Sequence, residues 1–262
     1  MNRRVWHAGI TALLLLGGCG RGRQSVTLAG STAFQPFAEK LAEQFMAATP
    51  GVNVTVQGGG SAVGIQSALS GAAQIGMADL VELPSDAKAL TSTVVARDGI
   101  AVVVNPKNTV TNLTIAQIRG IFDGAVANWK EVGGADAAIT VVSREAGSGT
   151  RSSFEKILSG ITLTKEAIIQ DSNGTIRETV VNDANAIGYL SHGLLNDKIK
   201  AVTVDGVACT TGEIVGGKYI LARPIFLLTK GAPEGAVKAF IDYVLSAEGQ
   251  KTIGDNGLIP AK

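Results

Sequence analysis

The chain has 262 residues, 45% of them hydrophobic and 17% charged, enough to bury a substantial core in one large or two modest domains. That balance excludes a disordered or collagen-like protein. The formal net charge is +1, and without Arg3 and Arg4 it becomes 21 basic against 22 acidic residues; nothing resembles a basic stripe for nucleic acid, so an anion has to be held by local dipoles and one or two arginines.

Residues 1–18 read as an export signal. Arg3 and Arg4 form its positive start, residues 10–16 a short apolar stretch, and Leu16-Gly17-Gly18-Cys19 its end. The apolar stretch is too short to span a membrane. The last four residues resemble a bacterial lipobox, which implies cleavage before Cys19 and acylation of its thiol, palmitate included. The mature chain is then an exported lipoprotein facing the periplasm or cell exterior, with residues 19–24 as a lipidated tether. Cys209 is the only other cysteine, so no disulfide forms within the lipidated chain. It is expected to be a small buried apolar residue.

Strands and helices then alternate, which argues an α/β fold with parallel sheets covered by helices. Residues 26–29 predict a strand, and Phe34, Phe37, Leu41 and Phe45 recur at helical spacing as far as Met46. Residues 52–56 alternate as a second strand. Ser61 opens a helix with Ile65, Ala68 and Leu69 inward, and residues 74–78 form a third strand ending at Asp79. The apolar run 99–104 is a buried strand broken by Asn105-Pro106-Lys107-Asn108. Thr114-x-x-Gln117 is a capping box opening a helix through Ile118, Ile121 and Phe122. Residues 139–142 are a strand that feeds a helix with Phe154, Ile157 and Leu158. Near the end, the runs 219–221 and 225–228 flank Arg223-Pro224, and one last helix carries Val237, Phe240, Ile241, Val244 and Leu245.

Three of these strands empty into a Gly/Ser/Thr loop that opens a helix: Gly30-Ser31-Thr32, Gly58-Gly59-Gly60-Ser61 and Gly147-Ser148-Gly149-Thr150. A helix N-terminus leaves N–H groups unpaired and carries the positive end of the dipole, so each loop is either a plain cap or part of an anion site. Asp79 and Arg144 stand beside them. Arg144 can present a fork of donors to two ligand oxygens. A carboxylate such as Asp79 repels an anion unless the ligand brings a proton, as inorganic phosphate does at neutral pH and sulfate and molybdate do not.

Other chemistries lack their residues. The second loop fails the dinucleotide spacing because Val63 stands where the third glycine belongs, and no Walker loop occurs. His192 is the only histidine outside the signal, which leaves a structural zinc without ligands and a Ser-His-Asp hydrolase without its elbow. His192 reads as a satisfied loop residue. No cofactor or metal and no enzymatic activity are expected.

Gly30-Ser31-Thr32-Ala33-Phe34, Gln57-Gly58-Gly59-Gly60-Ser61, Ile75-Gly76-Met77-Ala78-Asp79, Leu113-Thr114-Ile115-Ala116-Gln117-Ile118 with Asn128-Trp129-Lys130, and the run from Ser143-Arg144 to Thr150-Arg151 resemble the phosphate-binding subunits of bacterial high-affinity phosphate uptake transporters. The resemblance runs from about Val26 to the C-terminus. It implies phosphate ligands from the Ser31-Thr32-Ala33 loop, chiefly the Thr32 hydroxyl and Ala33 amide, and from Ser61, Arg144, Ser148, Gly149 and Thr150, with Asp79 as proton acceptor. Two positions depart from the pattern. Ala146 stands where some members carry an acid that pairs with the arginine, for which Glu145 could substitute, and Ala78 replaces a serine often found before the aspartate.

The same resemblance implies a two-lobed, periplasmic-binding-protein-like fold of type II with the ligand cleft between lobes. Lobe one is expected at about 25–105 plus 222–262 and lobe two at about 106–221. The implied function is capture of inorganic phosphate by a lipid-anchored monomer and delivery to the membrane permease subunits of an ABC importer. The alternatives are a binding protein for sulfate, molybdate or tungstate, and, less favoured, a phosphoryl hydrolase, which would need a base or metal that the chain does not offer.

Overall fold

A computed structural model describes residues 24–261, so the export signal, Cys19 and residues 20–23 of the tether lie outside the described residues. The chain begins with β1 (Gln24–Gly30), α1 (Gln35–Ala48), β2 (Val52–Gly59), α2 (Ser61–Ser70) and β3 (Ile75–Asp79). β1 lies between β2 and β3 and pairs with both in parallel. Parallel neighbours need crossover connections, which α1 and α2 supply. α1 turns Phe37, Leu41 and Phe45 inward at four-residue spacing, and Phe45 meets Phe240 edge-on at 5.4 Å. Each such burial contributes about 1.5–3 kcal/mol.

β4 (Thr91–Val104) then carries the chain into a second half. This comprises β5 (Asn112–Leu113), α3 (Ile115–Phe122), β6 (Thr140–Arg144), α4 (Gly149–Ile157), β7 (Ile168–Gln170), α5 (Asn173–Asn182), β8 (Ala186–Ser191), β9 (Lys200–Ala201), β10 (Thr203–Val204) and α6 (Thr211–Val215). β11 (Ala222–Thr229) returns it to the first half, where α7 (Gly235–Leu245), α8 (Ala247–Asp255) and β12 (Ile259–Pro260) finish the chain. The strand order is β2-β1-β3-β11-β4-β8-β6-β7.

The fold is mixed α/β, and the expectation of parallel sheets is corrected at the two crossing strands. β4 and β11 run antiparallel to each other, β11 antiparallel to β3, and β4 antiparallel to β8. A chain that leaves one half and returns to it along the same path must run in opposite directions on its two passages. β4 serves both halves: Thr91 to Gly99 pair with β11, and Ile100 to Val104 pair with β8. The buried apolar residues divide accordingly. One large cluster draws on Val26, Leu28, Leu41, Ile75, Val95, Ile225 and Phe240, another on Ile100, Val102, Phe122, Trp129, Phe154, Tyr189 and Leu221, and a smaller third, within the first half, on Ile65, Leu80 and Leu228.

Most predicted elements are present within a few residues. The Thr114 capping box forms as read, with Gln117 N donating to Thr114 Oγ1 at 3.2 Å and Thr114 N to Gln117 Oε1 at 2.8 Å. Three differences have physical causes. The strand read at 99–104 starts eight residues earlier, at Thr91, because its first part mixes charged and polar residues whose partners are remote in sequence. β11 includes Arg223-Pro224, which lay between the two apolar runs read from the sequence; β3 begins to pair only at Ile225, so β11 has a free edge where Pro224 lacks its N–H. The helix read from Val237 to Leu245 is α7, but it is not the last: Ser246, whose hydroxyl accepts from Gly249 N, caps a further helix, α8, which has few apolar residues to announce it. No described helix is long and apolar enough to cross a membrane.

Candidate anion site

Each of the three loops ends a strand and starts a helix, so all three present helix N-termini to the space between the halves. The first turns at Gly30, whose φ is +132°; a Cβ there would stand 2.2 Å from Met77 O, so only glycine lets β1 and β3 close on the loop. The Ser31 hydroxyl accepts from Phe34 N at 3.1 Å. The Thr32 hydroxyl accepts from Asn173 Nδ2 at 3.0 Å, across from the second half. Ala33 is buried in the turn that leads into α1.

Ser61 and Thr150, from opposite halves, both act on Asp79. Ser61 Oγ donates to Asp79 Oδ1 at 2.8 Å and accepts from Asp79 N at 3.1 Å. Thr150 Oγ1 donates to Asp79 Oδ2 at 3.1 Å. All three residues are buried. Gly149 sits so close that a Cβ would stand 2.1 Å from Ser61 Oγ and 2.6 Å from Asp79 O. Ala62 N donates to Gly147 O at 3.1 Å, a further bond between the second and third loops.

Arg144 ends β6, 1% exposed. Its Nε and Nη2 each lie 2.9 Å from a carboxylate oxygen of Glu145, and Gln170 O and Asp171 O accept from the same two nitrogens. Glu145 therefore takes the pairing role left by Ala146. Nη1 has no partner among the described residues, and a buried donor of that kind needs an acceptor. Ser148 Oγ accepts from Arg151 N at 3.2 Å and caps α4.

The hydroxyls thus fall into two sets. A hydroxyl has one proton to give and lone pairs to receive with. Ser31, Thr32 and Ser148 receive from protein N–H groups and keep their protons for another acceptor. Ser61 and Thr150 spend theirs on Asp79.

Four residues of this neighbourhood were not read from the sequence as site residues. Asn173 opens α5 and joins Thr32 to Ser191, whose N donates to Asn173 Oδ1 at 3.0 Å. Arg223 Nη2 lies 2.8 Å from Asp79 Oδ2 and 2.9 Å from Asp98 Oδ2, and Ser191 Oγ donates to Asp98 Oδ1 at 2.8 Å. Burial pushes the Asp98 carboxyl above its usual range, opposed by Arg223 and Ser191. The only sequence signal for this group was Arg223 beside a proline in an otherwise apolar strand. Asp79 accordingly faces the cleft with a cationic neighbour, where the sequence suggested an uncompensated carboxylate.

Elsewhere, His192 Nδ1 is 2.9 Å from Gly257 O, and burial pushes the Cys209 thiol up to about 12. Among the described residues no group of three or more His, Cys, Asp or Glu side chains could hold a metal.

Two α/β halves that set helix N-termini, hydroxyls and a buried arginine on either side of one cleft define a solute-binding protein with an anion site. The chain belongs to the PBP superfamily, whose domain model matches residues 19–248. It is 38% identical to the phosphate-binding protein PstS of Bacillus subtilis over 90% of this chain and 80% of that protein. Among solved structures, a substrate-binding protein from Clostridium perfringens with bound phosphate superposes with a TM-score of 0.88 at 39% identity, over 91% of this chain and all of that one. An ABC-type phosphate transport receptor from Vibrio cholerae does so with a TM-score of 0.75 at 34% identity, over 90% of this chain and all of that one.

Proposed function

We propose that this protein captures inorganic phosphate between its two lobes and delivers it to the membrane subunits of an ABC importer, without enzymatic activity. The observation that carries the reading is the buried Asp79 carboxylate, set among proton donors from both halves. Free donors alone would suit any oxyanion. A carboxylate among them suits one that carries a proton.

In this reading Arg144 Nη1, the amides of Ala33, Gly149 and Thr150, and the hydroxyls of Ser31, Thr32 and Ser148 take the unprotonated oxygens. Asp79 accepts the ligand's proton. Ser61 and Thr150 hold Asp79 in place, and the α4 dipole adds to the attraction. The lobes divide close to the bounds expected from the sequence, 25–105 plus 222–262 and 106–221, but with Ile100 to Val104 going to the second lobe, a division supported by their packing in its buried cluster and their pairing with β8. Ligand that touches both lobes favours the closed arrangement over an open one, which gives the membrane subunits a shape to recognise. The export signal and lipobox support an extracytoplasmic protein anchored through acylated Cys19, and we take it to act as a monomer.

A panel of anions in a thermal unfolding assay tests the reading. Phosphate at 100 times its dissociation constant adds about 2.7 kcal/mol of stability. Sulfate, molybdate and tungstate at equal concentration are expected to add much less; equal stabilisation by sulfate would make this a general oxyanion binder, and no response to phosphate would overturn the reading.

A further inference from the structure

We propose that Arg223, held by Asp98, is the positioning residue that sets how strongly the cleft prefers an oxyanion with a proton over one without. The inference rests on the phosphate reading and extends it to two residues outside the ligand set given above.

Arg223 and Asp98 are register partners on β11 and β4, the strands that join the lobes, and both side chains are fully buried. Asp98 cannot turn away, because Ser191 occupies its other oxygen. Arg223 Nη2 gives Asp98 an aligned hydrogen bond at 2.9 Å, while at 2.8 Å from Asp79 it makes an ion pair without one. Asp79 therefore receives part of a positive charge and little of a hydrogen bond. A carboxylate offers about four acceptor positions. Ser61 and Thr150 fill two of those on Asp79, and Asp98, by keeping the guanidinium's aligned N–H for itself, preserves the capacity that remains for a ligand proton. It also keeps the Arg223 charge divided, so that Asp79 still repels an anion that brings no proton.

Asp98→Asn removes the competing charge with little change of shape. The guanidinium then turns its N–H and its charge toward Asp79, filling an acceptor position that phosphate uses and relieving the repulsion that sulfate meets. The expected result is a phosphate-to-sulfate affinity ratio about tenfold smaller, with sulfate binding strengthened. Arg223→Met removes the positive charge beside Asp79 while Ser61 and Thr150 still hold the carboxylate, so sulfate meets more repulsion and the ratio rises, and Arg223→Lys, which retains the charge, returns part of the way to the wild-type ratio.

Calorimetric titration of both anions, with thermal unfolding of each ligand-free variant, decides the matter. A pair that only fastens β4 to β11 would lower the unfolding temperature and weaken both anions alike, and an unchanged ratio in Asp98→Asn would overturn the proposal. Should Arg223→Met not fold, Asp98→Asn carries the test by itself. A wild-type protein that fails to bind phosphate overturns the phosphate reading and this one with it; a selective wild type with an equally selective Asp98→Asn overturns this one alone.

Discussion

Glu145 holds the guanidinium of its immediate neighbour Arg144 at two points, Nε and Nη2 each 2.9 Å from one carboxylate oxygen. With Gln170 O and Asp171 O on the same edge, the group is fixed and its remaining nitrogen, Nη1, is left to donate elsewhere. Arg144→Ala is expected to weaken phosphate binding by several kcal/mol, since each hydrogen bond to a charged partner is worth about 1.5–3 kcal/mol. Glu145→Ala costs less, because the two carbonyls still orient the guanidinium. Isothermal titration measures both, and unchanged affinity in Arg144→Ala would remove that residue from the site.

The division of the hydroxyls predicts two kinds of defect. Ser148→Ala removes a donor to the ligand, so phosphate and sulfate weaken together, and loss of the α4 cap costs about 1 kcal/mol of stability. Ser61→Ala and Asp79→Asn act on the carboxylate instead. Both should shrink the ratio of phosphate to sulfate affinity, Asp79→Asn more strongly because its amide can donate to sulfate. Titrating both anions against the three variants distinguishes the two patterns.

Gly149→Ala tests how closely the loops must approach. The new methyl would press on Ser61 Oγ at 2.1 Å and on Asp79 O at 2.6 Å, and the second is backbone with no rotamer to change. Overpacking of this kind costs about 1–3 kcal/mol. Falling on the arrangement in which the two loops meet, that cost should lower phosphate affinity by about fivefold to a hundredfold, since 1.4 kcal/mol is one decade, while the ligand-free unfolding temperature changes less. Calorimetry beside a thermal scan reads both quantities.

The anchor is tested outside the described residues. Cys19→Ser should leave the folded protein in the soluble fraction after cell breakage. A folded variant that remains with the membrane would contradict the lipobox reading.

The three loops, Asp79 and Arg144 were legible because each is announced locally, by a strand that stops at glycine and hydroxyl residues where a helix begins. Asn173, Asp98 and Arg223 carry no such mark. They are linked through Ser191 at the end of β8, because β8, β4 and β11 lie side by side, an adjacency set by the order of strands. α5 and β8 were likewise missed. Asn173 to Asn182 has Ile176 and Val180 as its only buried apolar residues, too thin a stripe to announce a helix, and Ala186 to Ser191 is buried throughout, without the alternation that marks a half-exposed strand. The antiparallel crossing of β4 and β11 lay equally beyond local pattern, since it follows from where the chain returns.

The return of the chain has a consequence for what can be cut and rejoined. Gly99 and Ala222 are register partners, and Ile100 N donates to Leu221 O at 2.7 Å. The segment 100–221 thus enters and leaves at one point, like a bead hung on the rest of the chain by two adjoining threads. A short turn joining Gly99 to Ala222 would close the first half over the gap, and one joining Leu221 to Ile100 would close the second into a circle, each at little cost in loop entropy. Neither piece would hold the anion, because Asp79 would stay with one and Arg144 with the other.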